Sequence, residues 1–283
     1  MGLAHSRSRP PRRVVLLALL LVLIPLSASC SAPTEARSPV HIRMSGSSSV
    51  ANLVSDAAVV YHEDHPNVTL HTSVLNSQQG LQAVLLGKAE IGLVSRPLRK
   101  AETQSADTGE PRVTATSVGH DGVAVIVNAA NPVVSLSAGQ LRSIYTGEVW
   151  TWPDVGGAEG EITVVTREEG SGTREVFEAA ILRGARLAPG AIIMPSTSSV
   201  ASYVQGHAGA IGYLSAAAST DDTKTLRIDG QLPHASSLKN GRYPILRPFY
   251  LVVSAQPSTD VLNFVGFVAR RGTQTLAEPG GPR

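Results

Sequence analysis

From residue 41 onward, short β-rich runs alternate with amphipathic helical patterns, and this alternation constrains the fold more than any other feature of the chain. Strands are predicted at 41–44, 68–74, 91–94, 123–127, 162–166, 211–214 and 249–253. Helices are predicted at 50–61, 81–86, 141–145, 174–182, 200–205 and 260–270. The first of these helices carries apolar residues at 50, 53, 54, 57, 58 and 61, a single stripe at helical spacing. Strand–helix alternation without an internal repeat implies an α/β architecture with largely parallel sheets.

Three junctions share one local grammar, in which a strand ends, small hydroxyl or glycine residues follow, and a helix begins. Ser45-Gly46-Ser47-Ser48-Ser49 precedes the first helix and Asn76-Ser77-Gln78-Gln79-Gly80 the second. Arg167-Glu168-Glu169-Gly170-Ser171-Gly172-Thr173 precedes the helix at 174–182. A helix start exposes unpaired backbone N–H groups and the positive end of the macrodipole. Glycine lets an anion approach the backbone, and serine or threonine adds a hydroxyl donor. Such a junction can bind an anion without a full positive charge. The alternative at each one is plain N-capping, in which the serine serves only its own helix. Three together, one of them led by an arginine, point toward a bound anion.

Composition narrows the ligand. Residues 1–29 read as an export signal: Arg7, Arg9, Arg12 and Arg13 form a basic start, and Ser27-Ala28-Ser29 a small-residue cleavage site. Between them the chain is apolar only from Val14 to Leu26, short of the roughly 18 residues a membrane span needs. The whole chain has 24 basic and 22 acidic residues, and the signal accounts for four of the arginines. The remainder is slightly acidic, which argues against nucleic acid as a partner. Aromatic residues make up only 4%. Stacking platforms for sugars or bases are therefore scarce, and a small polar ligand held by hydrogen bonds fits better.

Cys30 is the only cysteine in the chain, so no intramolecular disulfide can form. Its place after Ser27-Ala28-Ser29 resembles the lipobox of bacterial lipoproteins, with Ser27 where that motif favours leucine. The alternative is an ordinary cleavage site beside a cysteine. Lipidation at Cys30 would anchor the protein to the cell membrane on its extracytoplasmic face. Arg12-Arg13 leaves twin-arginine export open beside the general route.

The junctions themselves carry a family resemblance. Gly46-Ser47-Ser48-Ser49-Val50 is similar to the first ligand loop of periplasmic phosphate-binding proteins of the PstS type. Ile91-Gly92-Leu93-Val94-Ser95-Arg96-Pro97-Leu98 resembles their second-strand signature. The runs from Asp121 to Asn128 and from Leu141 to Gly147 resemble the family's middle section. Arg167 to Thr173 is similar to its arginine loop, and Gly209-Ala210-Ile211-Gly212-Tyr213 to its late strand.

The resemblance implies a type II periplasmic-binding-protein fold, two α/β lobes joined by a two-strand hinge with the ligand cleft between them. After the signal at 1–29 and a tether at 30–39, lobe 1 would take 40–118 and 244–283, and lobe 2 would take 119–243. It implies a phosphate site of Ser48, Ser49, Ser77 and Ser95 from one lobe and Arg167, Ser171, Gly172 and Thr173 from the other. The implied function is capture of inorganic phosphate and delivery to an ABC permease and its ATPase, by a monomeric binding protein that is not an enzyme and needs no cofactor. Two features keep other readings open. Some relatives have an aspartate where Ser95 stands, so sulfate, molybdate or tungstate remain alternatives, as does a phosphate sensor without transport. Asp121 is either a replacement acceptor or part of an Asp-Gly turn opening a strand. Glu169 either pairs with Arg167 or is a solvated loop carboxylate.

Other patterns carry less. His62 and His65 could hold a metal on one helix face, but they close a helix before Pro66, where a solvated charged end is ordinary, and no metal is expected. The run from Gly80 to Lys88 fails the P-loop spacing, and Ala89 stands where a hydroxyl residue should follow. No nucleophile elbow surrounds Ser171. Residues 150–154 read as a packed turn, and Arg99 as a surface position.

Overall fold

The computed structural model describes residues 38–275. The first lobe is laid down by β1 (Val40–Ser47), α1 (Ser48–Asp64), β2 (Val68–Leu75), α2 (Ser77–Leu85) and β3 (Ile91–Val94). A single turn, α3 (Lys100–Thr103), leads into β4 (Val113–Asn128), which runs from this lobe into the next. The second lobe contains β5 (Ser135–Leu136), α4 (Ala138–Thr146), β6 (Thr163–Arg167), α5 (Gly172–Phe177), β7 (Ile192–Met194) and α6 (Thr197–Gly206). It continues with β8 (Ala210–Ser215), β9 (Thr223–Thr225), β10 (Arg227–Ile228) and α7 (Ala235–Lys239). Finally β11 (Leu246–Ser254) crosses back, and α8 (Thr259–Thr275) packs against α1.

The strands follow the order β2-β1-β3-β11-β4-β8-β6-β7, with β9 beside β4 and β10 paired separately with β5. Pairing is parallel for β1 with β2 and β3, and for β6 with β7 and β8. The expectation of largely parallel sheets holds inside each lobe and fails between them. There β11 runs antiparallel to both β3 and β4, and β4 antiparallel to β8. The strand expected at 123–127 is only the second half of β4. Its first half, from Val113 to His120, exposes several of its residues and so lacks the continuous apolar run that marks a buried strand. A bulge between Phe249 and Tyr250 interrupts the β11–β4 ladder opposite Gly119 and Ser117, at the passage from one lobe to the other.

Each lobe has its own core. Ile42, Val50, Val54, Ile91, Phe249, Phe264 and Val265 form one cluster; Val123, Val125, Leu141, Tyr145, Phe177 and Tyr213 form another. Packing, not capping, holds α1. Its N-cap Ser47 makes no side-chain cap bond, forgoing about 1 kcal/mol. Val50, Val54 and Tyr61 on its inner face are almost fully buried, and each such apolar side chain contributes roughly 1.5–3 kcal/mol. The first turn of α1 is therefore left free of its own serine. By contrast α4 has a full capping box of Ser137 and Gln140 and ends on Gly147 in a left-handed turn.

Candidate anion-binding site

The C-terminal ends of β1, β2, β3, β6 and β7 converge between the lobes, and α1, α2, α5 and α6 start there. A layer of buried polar residues lies at this junction: Ser47, Ser48, Ser49, Ser77, Ser95, Arg167, Ser171, Thr173, Thr197 and Arg247 are each no more than 6% exposed. Burying so many polar groups is costly unless they are paired, and such concentration in one place marks a site.

The hydroxyls knit the two lobes together. Ser47 Oγ donates to Ser95 Oγ at 2.9 Å, and Ser95 Oγ lies 3.2 Å from Ser77 Oγ. Across the cleft Ser48 Oγ sits 3.0 Å from Thr197 Oγ1 and accepts from the Thr197 N–H at 3.2 Å. Ser49 Oγ lies 3.2 Å from Thr197 Oγ1 and 3.4 Å from Thr173 Oγ1. Backbone contacts complete the closure, with the Gln78 N–H donating to Gly170 O at 3.2 Å and Asn76 Nδ2 to Glu169 O at 3.2 Å. Gly172 allows the lobes to meet: a Cβ there would stand 2.4 Å from Ser77 Oγ and 2.7 Å from Ser95 Oγ. Gly46, at φ 137°, has the same role inside lobe 1, where a Cβ would stand 2.3 Å from Leu93 O.

The capping alternative holds for some junctions and not for others. Asn76 caps α2 through the Gln79 N–H at 2.9 Å. Ser171 caps α5 through the Arg174 N–H at a long 3.5 Å. Ser48 and Ser49 lie inside the first turn of α1 and cap nothing.

Two arginines carry charge into this layer. Arg167 ends β6; its Nε and Nη2 donate to Glu168 at 2.8 and 3.0 Å, while its Nη1 is buried with no hydrogen-bond partner. Its backbone N–H donates to the Tyr213 hydroxyl at 3.4 Å, and that hydroxyl is 2.7 Å from Thr166 Oγ1. Burial pushes the Tyr213 phenol up to about 12, so it stays neutral where it accepts from the Arg167 backbone. Arg247 on β11 is fully buried and stands opposite Asp121 on β4. Its Nε and Nη2 donate to Asp121 Oδ2 at 3.1 and 2.6 Å, and its Nη1 donates to Thr173 Oγ1 at 2.5 Å. Burial pulls Arg247 below the usual arginine range; Asp121 opposes that drop and the like charge of Arg167 adds to it. Because Thr173 Oγ1 accepts from Arg247, its own proton is left to point elsewhere.

All eight residues assigned from the resemblance lie at this junction; of its two readings Glu169 is the exposed loop carboxylate, Arg99 is on the surface as expected, and the turn reading of Asp121 fails. The carboxylate paired with Arg167 is its neighbour Glu168, and Glu169 is exposed to solvent. Asp121 does not open a strand at a turn. It lies within β4, buried, accepting from Arg247 and also from Ser215 Oγ at 2.8 Å. Arg99 is exposed yet paired, its Nη2 lying 2.9 Å from Glu175 Oε2. His62 and His65 turn instead to the carbonyls of Val68 and Tyr61, and no group of three metal-ligating side chains occurs among the described residues.

Sequence reasoning missed Thr197 and Arg247, and left Ser47 of the first junction out of the assigned site. Thr197 had a signal: Ser196-Thr197-Ser198-Ser199 at the start of α6 repeats the strand–hydroxyl–helix grammar, but the three-residue β7 before it is too short to stand out. Arg247 had none, since an arginine in a crossing strand has no local pattern.

The chain matches the family model of the PBP superfamily domain over residues 31–271. It is 32% identical over 246 residues to the phosphate-binding protein PstS of Bacillus subtilis, covering 82% of this chain and 80% of the relative. It is 27% identical over 226 residues to the phosphate-binding protein PstS of Staphylococcus haemolyticus, covering 76% and 71%. Among solved structures it resembles a substrate-binding protein of a phosphate ABC transporter from Clostridium perfringens with bound phosphate. The TM-score is 0.78 at 27% identity, over 86% of this chain and all of that one. An ABC-type phosphate transport receptor from Vibrio cholerae matches with a TM-score of 0.66 at 28% identity, over 85% of this chain and all of that one. Family model, relatives and two-lobe architecture agree, and the chain belongs to the PBP superfamily and, within it, to the family of PstS-type phosphate-binding proteins.

Proposed function

We propose that this protein captures inorganic phosphate on the extracytoplasmic side of the membrane and delivers it to an ABC-type permease driven by an ATPase, binding its ligand without transforming it. The observation that carries this reading is Arg167, 2% exposed in a layer of buried hydroxyls, with one guanidinium nitrogen unpartnered. A buried unsatisfied donor costs about 1–3 kcal/mol, and a bound oxyanion would relieve that cost. Ser48 and Ser49 would give N–H and hydroxyl donors, Ser77 and Ser95 hydroxyls, and Ser171, Gly172 and Thr173 the facing donors; Thr197 joins them. The names of the Bacillus and Clostridium proteins support phosphate as the ligand.

A second reading has its own support. Asp121 and Glu168, the carboxylates nearest the layer, are both engaged by arginines. The acceptor for a phosphate proton then falls to a hydroxyl such as that of Ser95, and a hydroxyl discriminates less against sulfate, molybdate or tungstate. Isothermal titration of the mature protein with phosphate, sulfate and molybdate separates the two. Phosphate is expected to bind tightest, and sulfate or molybdate binding in its place would overturn the assignment.

The lobe boundaries proposed are 40–118 with 244–283 for lobe 1 and 119–243 for lobe 2. The bulge opposite Gly119 supports the first crossing. Ile245 packs into the core of lobe 2, which moves the return crossing just beyond it. The signal at 1–29, the tether up to residue 37 and the residues beyond 275 lie outside the described residues. No helix among the described residues is long and apolar enough to cross a membrane. Anchoring is assigned to a lipid on Cys30, which also lies outside them. Wild-type protein expressed in a bacterium is expected to partition into detergent, and Cys30→Ala to shift into the soluble or precursor fraction. Equal partitioning of the two would remove the anchor.

A further inference from the structure

Away from the hydroxyl layer, the two lobes meet at a second charged cluster. Glu102 on α3 holds the Arg96 guanidinium in a two-pronged bond, Nη1 to Oε2 at 2.9 Å and Nη2 to Oε1 at 2.7 Å. The same carboxylate accepts from the Arg99 N–H at 2.8 Å, so Arg96 and Arg99 are presented from lobe 1 as a fixed pair. Glu175 comes from the other lobe, in the first turn of α5 and two residues after Thr173. Its Oε1 lies 3.0 Å from Arg96 Nε and its Oε2 2.9 Å from Arg99 Nη2.

The burial of the partners ranks these contacts. The side chain of Arg96 is 3% exposed and that of Glu175 27%, whereas Arg99 is 70% exposed. An exposed pair such as Arg99–Glu175 contributes little and is screened by salt. Arg96–Glu175 is the more buried contact, an ion pair whose Nε is not aligned for a hydrogen bond, and Glu102 already holds Arg96 within its own lobe. Only Glu175 is carried on the segment that bears Gly172 and Thr173. The bridge therefore forms when α5 closes on lobe 1 and breaks when the lobes part.

We infer that Glu175 is an affinity-determining residue that latches the closed, ligand-bound form through Arg96 and Arg99 without touching the ligand. This deepens the phosphate-capture reading and rests on it. A contact made only in the closed state stabilises that state and slows reopening, while leaving the encounter of anion with the open cleft unchanged. Its loss must appear in the dissociation rate and not in the association rate.

The test is a chase of radiolabelled phosphate from wild type, Glu175→Gln, Glu175→Asp and Arg99→Gln. Glu175→Gln keeps the shape of the side chain and is expected to raise the dissociation rate about tenfold, through loss of the carboxylate charge that faces the buried Arg96 guanidinium from the other lobe. Its association rate and ligand-free melting temperature should match wild type. Glu175→Asp should recover part of the effect, and Arg99→Gln should change dissociation about twofold at low salt and less at high salt. An unchanged dissociation rate in Glu175→Gln overturns the latch. So does a loss carried by the association rate, or one matched by a lower ligand-free melting temperature. If wild type binds sulfate or molybdate and not phosphate, the capture reading falls, and the same dissociation comparison made with that anion decides the latch.

Discussion

Arg167→Ala is expected to weaken phosphate binding about a hundredfold while the protein remains folded. A charge-assisted hydrogen bond contributes roughly 1.5–3 kcal/mol net, and about 1.4 kcal/mol is a factor of ten. Arg167 would offer such a bond from a buried nitrogen that has no other partner. The truncation leaves Glu168 without its arginine, but that side chain is 23% exposed and can turn to water, so the fold is spared. Thr173→Val removes one neutral hydroxyl and should weaken binding about tenfold. Titration calorimetry gives the order directly. If Arg167→Ala binds phosphate as tightly as wild type, the site is misplaced.

A larger effect on stability is expected at the hinge. Asp121 and Arg247 face each other on β4 and β11, with side chains 2% and 0% exposed. Removing one partner of a buried pair leaves an uncompensated charge, at about 3–5 kcal/mol. Asp121→Ala should lose stability of that order, read as a lower urea midpoint, because Arg247 would keep only Thr173 as a hydrogen-bond partner beside the Phe249 ring. Asp121→Asn keeps an acceptor for Arg247 and for Ser215 and should lose less. Equal stability of wild type and Asp121→Ala would mean that Arg247 finds water or another partner in solution. The pair also links hinge to site, since Arg247 holds the oxygen of Thr173. Asp121→Asn is therefore expected to weaken phosphate binding as well.

Much of the site was readable before the structure because its parts are local. A serine run after a strand and before an apolar helical stripe is a pattern within ten residues, and the helix start that makes it an anion site is set by the same few residues. That is why the junctions holding Ser48, Ser49, Ser77, Ser171, Gly172 and Thr173 could be marked, while the family resemblance singled out those residues. The same locality misled at Asp121, where an Asp-Gly pair reads as a turn although the chain continues straight through it as a strand. At Arg99 it was right about the surface position and silent about the carboxylate that arrives from the other lobe.

The sequence by itself determined the α/β alternation, the three hydroxyl-rich helix starts, the arginine loop and the family, since each depends on neighbours along the chain. Only the tertiary structure decided that Glu168 and not Glu169 pairs with Arg167, that Arg247 joins Asp121, and that Thr197 faces Ser48. The partners in the last two pairs lie 126 and 149 residues apart. Contacts at such separations exist only where the crossing strands bring the lobes together, and no spacing in the chain records that distance.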